Sequence, residues 1–313
     1  MTQLLSIVSG AFNEEDNIEA FYHQVTEVLQ RDLARYDYEI IVIDNASTDR
    51  TLEILRRLAA HDRRLKVIVN NRNFGHIRSP YHALLQARGD VVQMIVSDLQ
   101  DPPKLIPEMV QKWEQGYKIV LGQKNQSEES PLFFWVRKTY YALVSRLSEV
   151  HLTRNVTGFG LYDREVVEQL RKIGDPYPYF RGLICDLGYD QALIPYVQPT
   201  RKRGLSKNNF YTLWDMAMLG ITNHSKIPLR LATFVGFAVG ALSFLVALGY
   251  LIYKLLYWES FQLGTAPIVF GIFFIGAIQL FFLGIVGEYI GSIHTQVLKR
   301  PLVIERERIN FDD

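Results

Sequence analysis

Residues 38–49 read YEIIVIDNASTD, and the fold follows from how that stretch is parsed. Tyr38 to Asp44 is a short aliphatic and β-branched run that reads as a strand, closed by a carboxylate. Ser47, Thr48 and Asp49 then offer an N-terminal cap to a helix over Thr51 to Ala60. The same unit recurs on both sides. Leu4 to Ser9, Leu65 to Asn70 and Val91 to Val96 are further strand-like runs, with helical spacing over Asn17 to Leu29 and Ile77 to Ala87. This alternation predicts an α/β fold, an open and mostly parallel sheet with helices on both faces. Ligands of such sheets bind beyond the carboxyl ends of the strands, so the polar residues just after each strand are the ones to inspect.

Working outward, the rest of the 313 residues divides by charge. Hydrophobic residues make up 48%, unevenly: residues 1–224 carry charges every few positions, whereas Leu231 to Tyr253 and Ser260 to Gly287 carry none. Each uncharged stretch exceeds the roughly 20 apolar residues that cross a bilayer core as a helix. A domain over 1–224, two transmembrane helices within 225–291 (at 229–254 and 264–288) and a tail over 292–313 are therefore expected. Lys226 and Arg230 precede the first span, while Lys299, Arg300, Arg306 and Arg308 follow the second. Only Lys254 and Glu259 lie between the spans. The positive-inside rule then puts both termini and the domain in the cytosol, anchored to the plasma (inner) membrane.

The net charge of +1 gives no reason to expect a nucleic-acid partner. The lone cysteine, Cys185, rules out an intrachain disulfide framework and fits a reducing compartment. The opening MTQLLSIVSGAFNEED lacks a basic n-region and reads as a first strand, not a signal peptide. Beyond Gly122 the alternation loosens. Residues 131–148, PLFFWVRKTYYALVSRLS, have the composition of an amphipathic helix, lying either on the sheet or in the membrane interface. The spans hold Gly236/Gly240 and Gly287/Gly291 pairs, a spacing that permits close helix packing and is also common by chance.

Three polar clusters follow strands: Phe12 to Glu15, Asp44 to Asp49, and Ser97 to Pro103. Any one of them is explained by turn chemistry, which favours Asn, Asp and Ser. Three on one sheet edge point to a site. A carboxylate-rich strand end suits Mg²⁺ or Mn²⁺, which takes one or two protein oxygens and fills its remaining positions with water and phosphate. Such an ion could bridge a diphosphate.

Taken together, Asn13-Glu14-Glu15, Asp44-x-x-Ser47-Thr48-Asp49, Arg72-Asn73-Phe74-Gly75 and Asp98-Leu99-Gln100-Asp101-Pro102-Pro103 resemble the family 2 inverting glycosyltransferases of GT-A (Rossmann-like) fold. The likeness is nearest to their polyprenyl-phosphate branch, the dolichyl-phosphate mannose synthases and bactoprenol glucosyltransferases. Arg201-x-x-Gly204-x-Ser206-Lys207 and the tail ending Gly287-Glu288-Tyr289-Ile290-Gly291 and Lys299-Arg300-Pro301 extend it over nearly the whole chain. The resemblance implies transfer of a sugar from a nucleotide sugar, UDP-linked, to undecaprenyl phosphate, with inversion. It implies that Asp44 meets the base and that Asn13, Glu14, Glu15, Asn73 and Gly75 shape the donor pocket. Asp98 would hold Mg²⁺ or Mn²⁺ with Gln100, and Asp101 would lie close to the sugar. Arg201, Ser206 and Lys207 would meet phosphate; their alternative is a basic patch facing lipid headgroups. A homo-oligomer, with a tetramer as one candidate form, is also implied.

The chain departs from the family pattern at three places. The usual Asp-x-Asp becomes Val96-Ser97-Asp98, Asp-Asp-Gly-Ser becomes Asp44-Asn45-Ala46-Ser47, and Gly-Asp-Phe-Arg-Leu becomes Thr157-Gly158-Phe159-Gly160-Leu161. These departures motivate a competing reading, a non-catalytic membrane scaffold that binds a nucleotide sugar or a lipid-flipping partner. A processive polysaccharide synthase is disfavoured because none of Trp113, Trp135, Trp214 or Trp258 follows an arginine, as its Gln-x-x-Arg-Trp motif requires. The missing aspartate is compatible with activity. A lipid phosphate is already anionic near neutral pH, so no general base is demanded.

Overall fold

The computed structural model describes residues 2–124, 153, 155–198, 218, 222, 226–257 and 265–311. The order of elements begins with β1 (Leu4–Ala11), α1 (Ile18–Asp32), β2 (Asp37–Asp44), α2 (Thr51–His61), β3 (Leu65–Asn70), α3 (Gly75–Gln86) and β4 (Val91–Met94). It continues through α4 (Ile106–Glu114), β5 (Ile119–Lys124), β6 (Val156–Asp163), α5 (Arg164–Ile173), α6 (Phe180–Asp186) and β7 (Gln191–Tyr196). Two long helices, α7 (Ile227–Leu256) and α8 (Thr265–Leu298), and a last strand, β8 (Glu305–Ile309), complete it.

The strands form one sheet in the order β7-β5-β6-β4-β1-β2-β3-β8. Its centre, β4-β1-β2-β3, is parallel, as the strand–helix alternation predicts. Antiparallel β6 and β8 flank that centre on its two sides. The alternating pleat sends successive side chains to opposite faces, which β2 illustrates. Ile40 and Val42 join the core under α1, α2 and α4, with Phe21, Val25, Leu55 and Met109. Ile41 and Ile43 join the core under α3, α5 and α6, with Tyr81, Leu84, Val166 and Leu170. Both faces being covered explains why β2 is an unbroken apolar run rather than an alternating one.

A buried ion pair pins the opposite, amino-terminal side of the sheet. Glu39 is 4% exposed and accepts hydrogen bonds from Ser6 Oγ (2.6 Å), Lys66 Nζ (2.6 Å) and the Arg88 amide (2.8 Å). Burial alone would raise its pKa; these three donors outweigh it and hold the carboxyl below its ordinary range. The stabilisation is therefore present above the unfolded carboxyl pKa and is lost as pH falls through the depressed folded value. Glu39→Gln strands the Lys66 ammonium and should cost about 3 kcal/mol at neutral pH, with the gap to wild type closing in acid. Thermal midpoints of the detergent-solubilised protein at the two pH values check this; equal midpoints at pH 7 would refute it.

Gly160 lies on β6 where the family pattern carries arginine. A Cβ there would stand 2.8 Å from the Tyr162 hydroxyl and 2.9 Å from the Val120 carbonyl oxygen. Tyr162, two residues on and on the same face, fills the space that a side chain at 160 would need. Gly160 and Tyr162 are thus one packing solution.

The long helices form a C-terminal hairpin with apolar side chains turned outward: Phe234 is 72% and Phe237 77% exposed. Windows of 20 residues (Ile227–Val246) and 25 residues (Phe274–Leu298) are long and apolar enough to cross a bilayer. The second helix runs ten residues past the expected end at 288, to Leu298. The amphipathic segment 131–148 lies outside the described residues. Within 292–313, for which the sequence suggests only a tail, β8 returns to the domain and pairs antiparallel with β3.

Candidate active site

The parallel strands end at one edge, where Ala11, Asp44 and Val69 stand in register across β1, β2 and β3. The residues that follow them make a continuous rim. Each of the three polar turns contains one residue in the left-handed region: Asn13 (φ 57°), Ala46 (φ 61°) and Leu99 (φ 61°). Asn tolerates that region, whereas for Ala and Leu it costs about 1 kcal/mol or more. Strain of this kind persists only where surrounding bonds over-determine the turn.

Those bonds run between the first two turns. The Asn13 amide donates to Ser47 Oγ (3.0 Å), and the Thr48 amide donates back to Asn13 Oδ1 (2.8 Å). Glu14 N–H donates to Thr51 Oγ1 (2.8 Å), and Glu15 N–H to Asp49 Oδ2 (3.2 Å). The Glu15 carboxylate accepts from the Arg50 amide at 3.0 Å. Asn13 and Glu15 therefore act as staples that hold the first turn against the second, and Glu14 accepts locally from Asn17 Nδ2 (2.7 Å).

Asp44 is fully buried behind these staples and accepts from the Ser47 amide (3.2 Å). Burial raises its pKa; the Ser47 bonds and the Arg306 charge oppose that without cancelling it. Next to it Asn45 organises the third loop. Its Nδ2 donates to Asn73 Oδ1 (2.9 Å), and its Oδ1 accepts from Phe74 N (2.9 Å) and Asn70 Nδ2 (3.0 Å). Asn73 Oδ1 also accepts the Gly75 amide (2.8 Å), which opens α3 with Gly75 at φ 89°. The family pattern has Asp where Asn45 stands. Here an amide is required, because the position must donate and accept at once.

The third turn follows β4. Ser97 Oγ donates to the Gly10 carbonyl (2.9 Å), tying the turn to β1. Asp98 Oδ1 caps the Gln100 amide (3.1 Å), and its side chain is partly exposed at the rim. Asp101 is 2% exposed and receives the Tyr196 hydroxyl at 2.8 Å. Burial pushes its pKa to about 6 despite that bond, with Lys124 pulling it down and the nearby Asp98 charge pushing it up.

The structure thus gathers Asn13, Glu14, Glu15, Asp44, Asn73, Gly75, Asp98, Gln100 and Asp101 on one rim. Arg201, Ser206 and Lys207 lie outside the described residues. Sequence reasoning missed Tyr196, which meets Asp101 across 95 residues, and Arg306, delivered by β8. It also missed the Asn45–Asn70–Ser79 network, in which Asn70 Nδ2 donates to Ser79 Oγ at 2.9 Å. A buried asparagine closing the apolar strand β3 was the one available signal.

The profile of glycosyl transferase family 2 matches residues 6–171, and that of the GtrB C-terminal hairpin matches residues 227–293. An uncharacterised glycosyltransferase of Synechocystis sp. is 34% identical, covering 97% of this chain and 95% of its own. The SfII prophage-derived bactoprenol glucosyl transferase of Shigella flexneri is 34% identical with 96% coverage of both chains. The uncharacterised glycosyltransferase YkcC of Bacillus subtilis is 32% identical, covering 98% of this chain and 95% of its own. Among solved structures, a glucosyl-3-phosphoglycerate synthase from Mycobacterium tuberculosis has 24% identity and a TM-score of 0.47, over 70% of this chain and 76% of that one.

Proposed function

Because this chain belongs to glycosyl transferase family 2, we propose that it transfers a sugar from a nucleotide sugar to a polyprenyl phosphate at the cytosolic face of the inner membrane. The observation that carries the proposal is a carboxylate-bearing turn at a strand end, Asp98 to Asp101, on the same chain as an exposed apolar hairpin. A relative from Shigella flexneri is named for glucosyl transfer to bactoprenol. By that likeness the acceptor is undecaprenyl phosphate; the resemblance of the motifs adds a UDP-linked donor and a homo-oligomer, such as a tetramer, as the working form.

Among the described residues no three His, Cys, Asp or Glu side chains gather into a closed metal cage. A carboxylate turn at a strand end, such as Asp98 to Asp101, supplies the oxygen donor type that a hard ion takes alongside water and diphosphate. Asp98, with Gln100, would hold Mg²⁺ or Mn²⁺. When bound, the ion offsets the charge that develops on the departing nucleotide. Asp44 orients the base, held by the stapled turns around Asn13, Glu14 and Glu15, while Asn73 and Gly75 close the pocket from the third loop. Asp101 borders the sugar, fixed in its rotamer by Tyr196. Arg201, Ser206 and Lys207 would bind phosphate oxygens of the donor, the acceptor or both, and the lipid phosphate approaches from behind the anomeric carbon. Attack from that side inverts the configuration, and the anionic acceptor needs no general base.

The test is nucleotide release by purified protein in detergent, with Mn²⁺ or Mg²⁺, undecaprenyl phosphate and a panel of nucleotide sugars. Lipid-dependent release with one sugar supports the proposal and names the donor. No release across the panel from folded protein would favour the non-catalytic scaffold.

Asp44→Asn separates binding from stability. The raised pKa means the folded state holds this proton more tightly than the unfolded chain does. Stability therefore falls as pH rises above the ordinary carboxyl value of about 3.9. The amide removes that penalty, so the thermal midpoint of the nucleotide-free variant at pH 7.5 should rise. UDP affinity should fall about 30-fold, the loss of one charged hydrogen bond. Calorimetric titration with UDP checks it, and unchanged affinity would take Asp44 out of the pocket.

A further inference from the structure

Helix α8 ends at Leu298, and the left-handed Lys299 (φ 46°) turns the chain back toward the domain. There Arg78, in the first turn of α3, donates through Nη2 to the carbonyl of Pro301, the residue after Arg300, whose charge acts on it. Arg72 completes the group. Its guanidinium lies 4.0 Å from the centre of the Phe74 ring, and that of Arg78 lies 5.6 Å from the same ring. Phe74 is 8% exposed and acts as a fixed floor between them. Arg72 Nη1 donates to the Asn73 carbonyl at 3.0 Å. Among the described residues, none of the three guanidiniums has a carboxylate partner, in a domain whose other arginines are mostly paired.

Arg78 Nε is buried and has no hydrogen-bond partner among the described residues. Burial and the like charges of Arg72 and Arg300 push the Arg78 pKa down. Three cations gathered without a counter-charge, one of them carrying an orphaned donor, are unfavourable unless an anion joins them. Guanidiniums match phosphate oxygens in bidentate fashion. The position narrows the source of that phosphate. The stretch Phe274–Leu298, long and apolar enough to cross a bilayer, ends at the residue before Lys299, which would set the cluster near the height of lipid headgroups.

We propose that Arg72, Arg78 and Arg300 form a binding site for a lipid-borne phosphate where α8 leaves the bilayer, and that this site receives the phosphate of the polyprenyl acceptor. The acceptor assignment rests on the function proposed above; the phosphate site itself does not. It would hold the acceptor at the junction of membrane and domain, on the chain that carries it to the rim. Ordinary phospholipid headgroups share the same chemistry.

The experiment uses the full chain in nanodiscs of neutral lipid, as wild type, Arg78→Gln and Arg300→Gln. Arg300 is exposed, so its variant keeps the fold even if Arg78→Gln does not. Expected is a rise of about tenfold in the KM for undecaprenyl phosphate, with the KM for the nucleotide sugar unchanged. In parallel, native mass spectrometry counts phosphatidylglycerol molecules retained by each protein from anionic bilayers. Fewer retained lipids with an unchanged acceptor KM would keep the phosphate site but assign it to phospholipid, overturning the acceptor role. Unchanged KM and unchanged retention in folded Arg300→Gln and Arg78→Gln would overturn the site. If wild type shows no lipid-dependent transfer, the function proposed above fails, and the retention arm still tests the site.

Discussion

Asp98→Ala is expected to lower lipid-dependent turnover by about a thousand-fold, the several kcal/mol that a metal-held leaving group contributes. The protein should remain folded and membrane-bound, because Asp98 is partly exposed at the rim, where it caps the Gln100 amide. Removing that cap adds a separate, local effect. Asp98→Asn isolates the charge, since its side-chain oxygen still accepts from Gln100. The two variants should therefore fall together in kcat and differ in stability. Single-turnover kinetics with the donor saturating is the measurement. Turnover within about threefold of wild type in Asp98→Asn would remove this residue from the metal site and favour the scaffold.

Ending the chain before Leu302 should cost at least about 3 kcal/mol and most of the activity, although the deleted residues include none of the predicted site. β8 covers the outer edge of β3, and the backbone pairing continues past it where the Asn71 amide donates to the Ile304 carbonyl at 2.9 Å. Its side chains fasten both flanking helices. Glu305 accepts from His82 of α3 at 2.6 Å, Glu307 pairs with Arg56 of α2 at 2.5 Å, and Arg308 reaches Gln86 at 2.9 Å. Asn310 Nδ2 donates to the carbonyls of Ala59 (2.7 Å) and Leu65 (2.9 Å). Without the strand, β3 presents an open edge, and the loop carrying Asn73 loses its anchor at Asn71. A synthetic peptide of residues 302–313 should restore part of the turnover by pairing with that edge. A truncated protein with wild-type midpoint and turnover would show that the strand is dispensable.

The same strand marks a limit of what the sequence reveals. Glu305-Arg306-Glu307-Arg308-Ile309 is nearly all charged and has no apolar alternation, so nothing local marks it as a strand. It forms because β3 offers an unpaired edge and the facing helices offer matching charges, and both facts exist only after the chain has folded. Tyr196 is similar. Its partner Asp101 is brought to it by β7 joining β5 on the far side of β6, a crossover that no local pattern encodes. The strain at Ala46 and Leu99 is likewise imposed by bonds from neighbouring turns, against the preference of those residues.

By contrast, β1 to β4 and their helices were legible within two or three residues at their ends, because period and composition act over short stretches. The hairpin was legible for a related reason: a bilayer demands a length and an absence of charge that can be counted directly. The polar clusters at Asn13, Asp44 and Asp98 could be placed on one edge once the parallel sheet was inferred, since parallel strands send all their carboxyl ends the same way. What the sequence by itself determined was therefore the layered α/β domain, its anchor and the edge on which the chemistry sits. Only the tertiary structure decided which polar groups on that edge are staples, as Glu15 is, and which are buried carboxyls whose pKa desolvation raises, as Asp44 is. The reason is physical: periodicity is a property of neighbours along the chain, whereas burial and hydrogen-bond partnership are set by residues tens to hundreds of positions away.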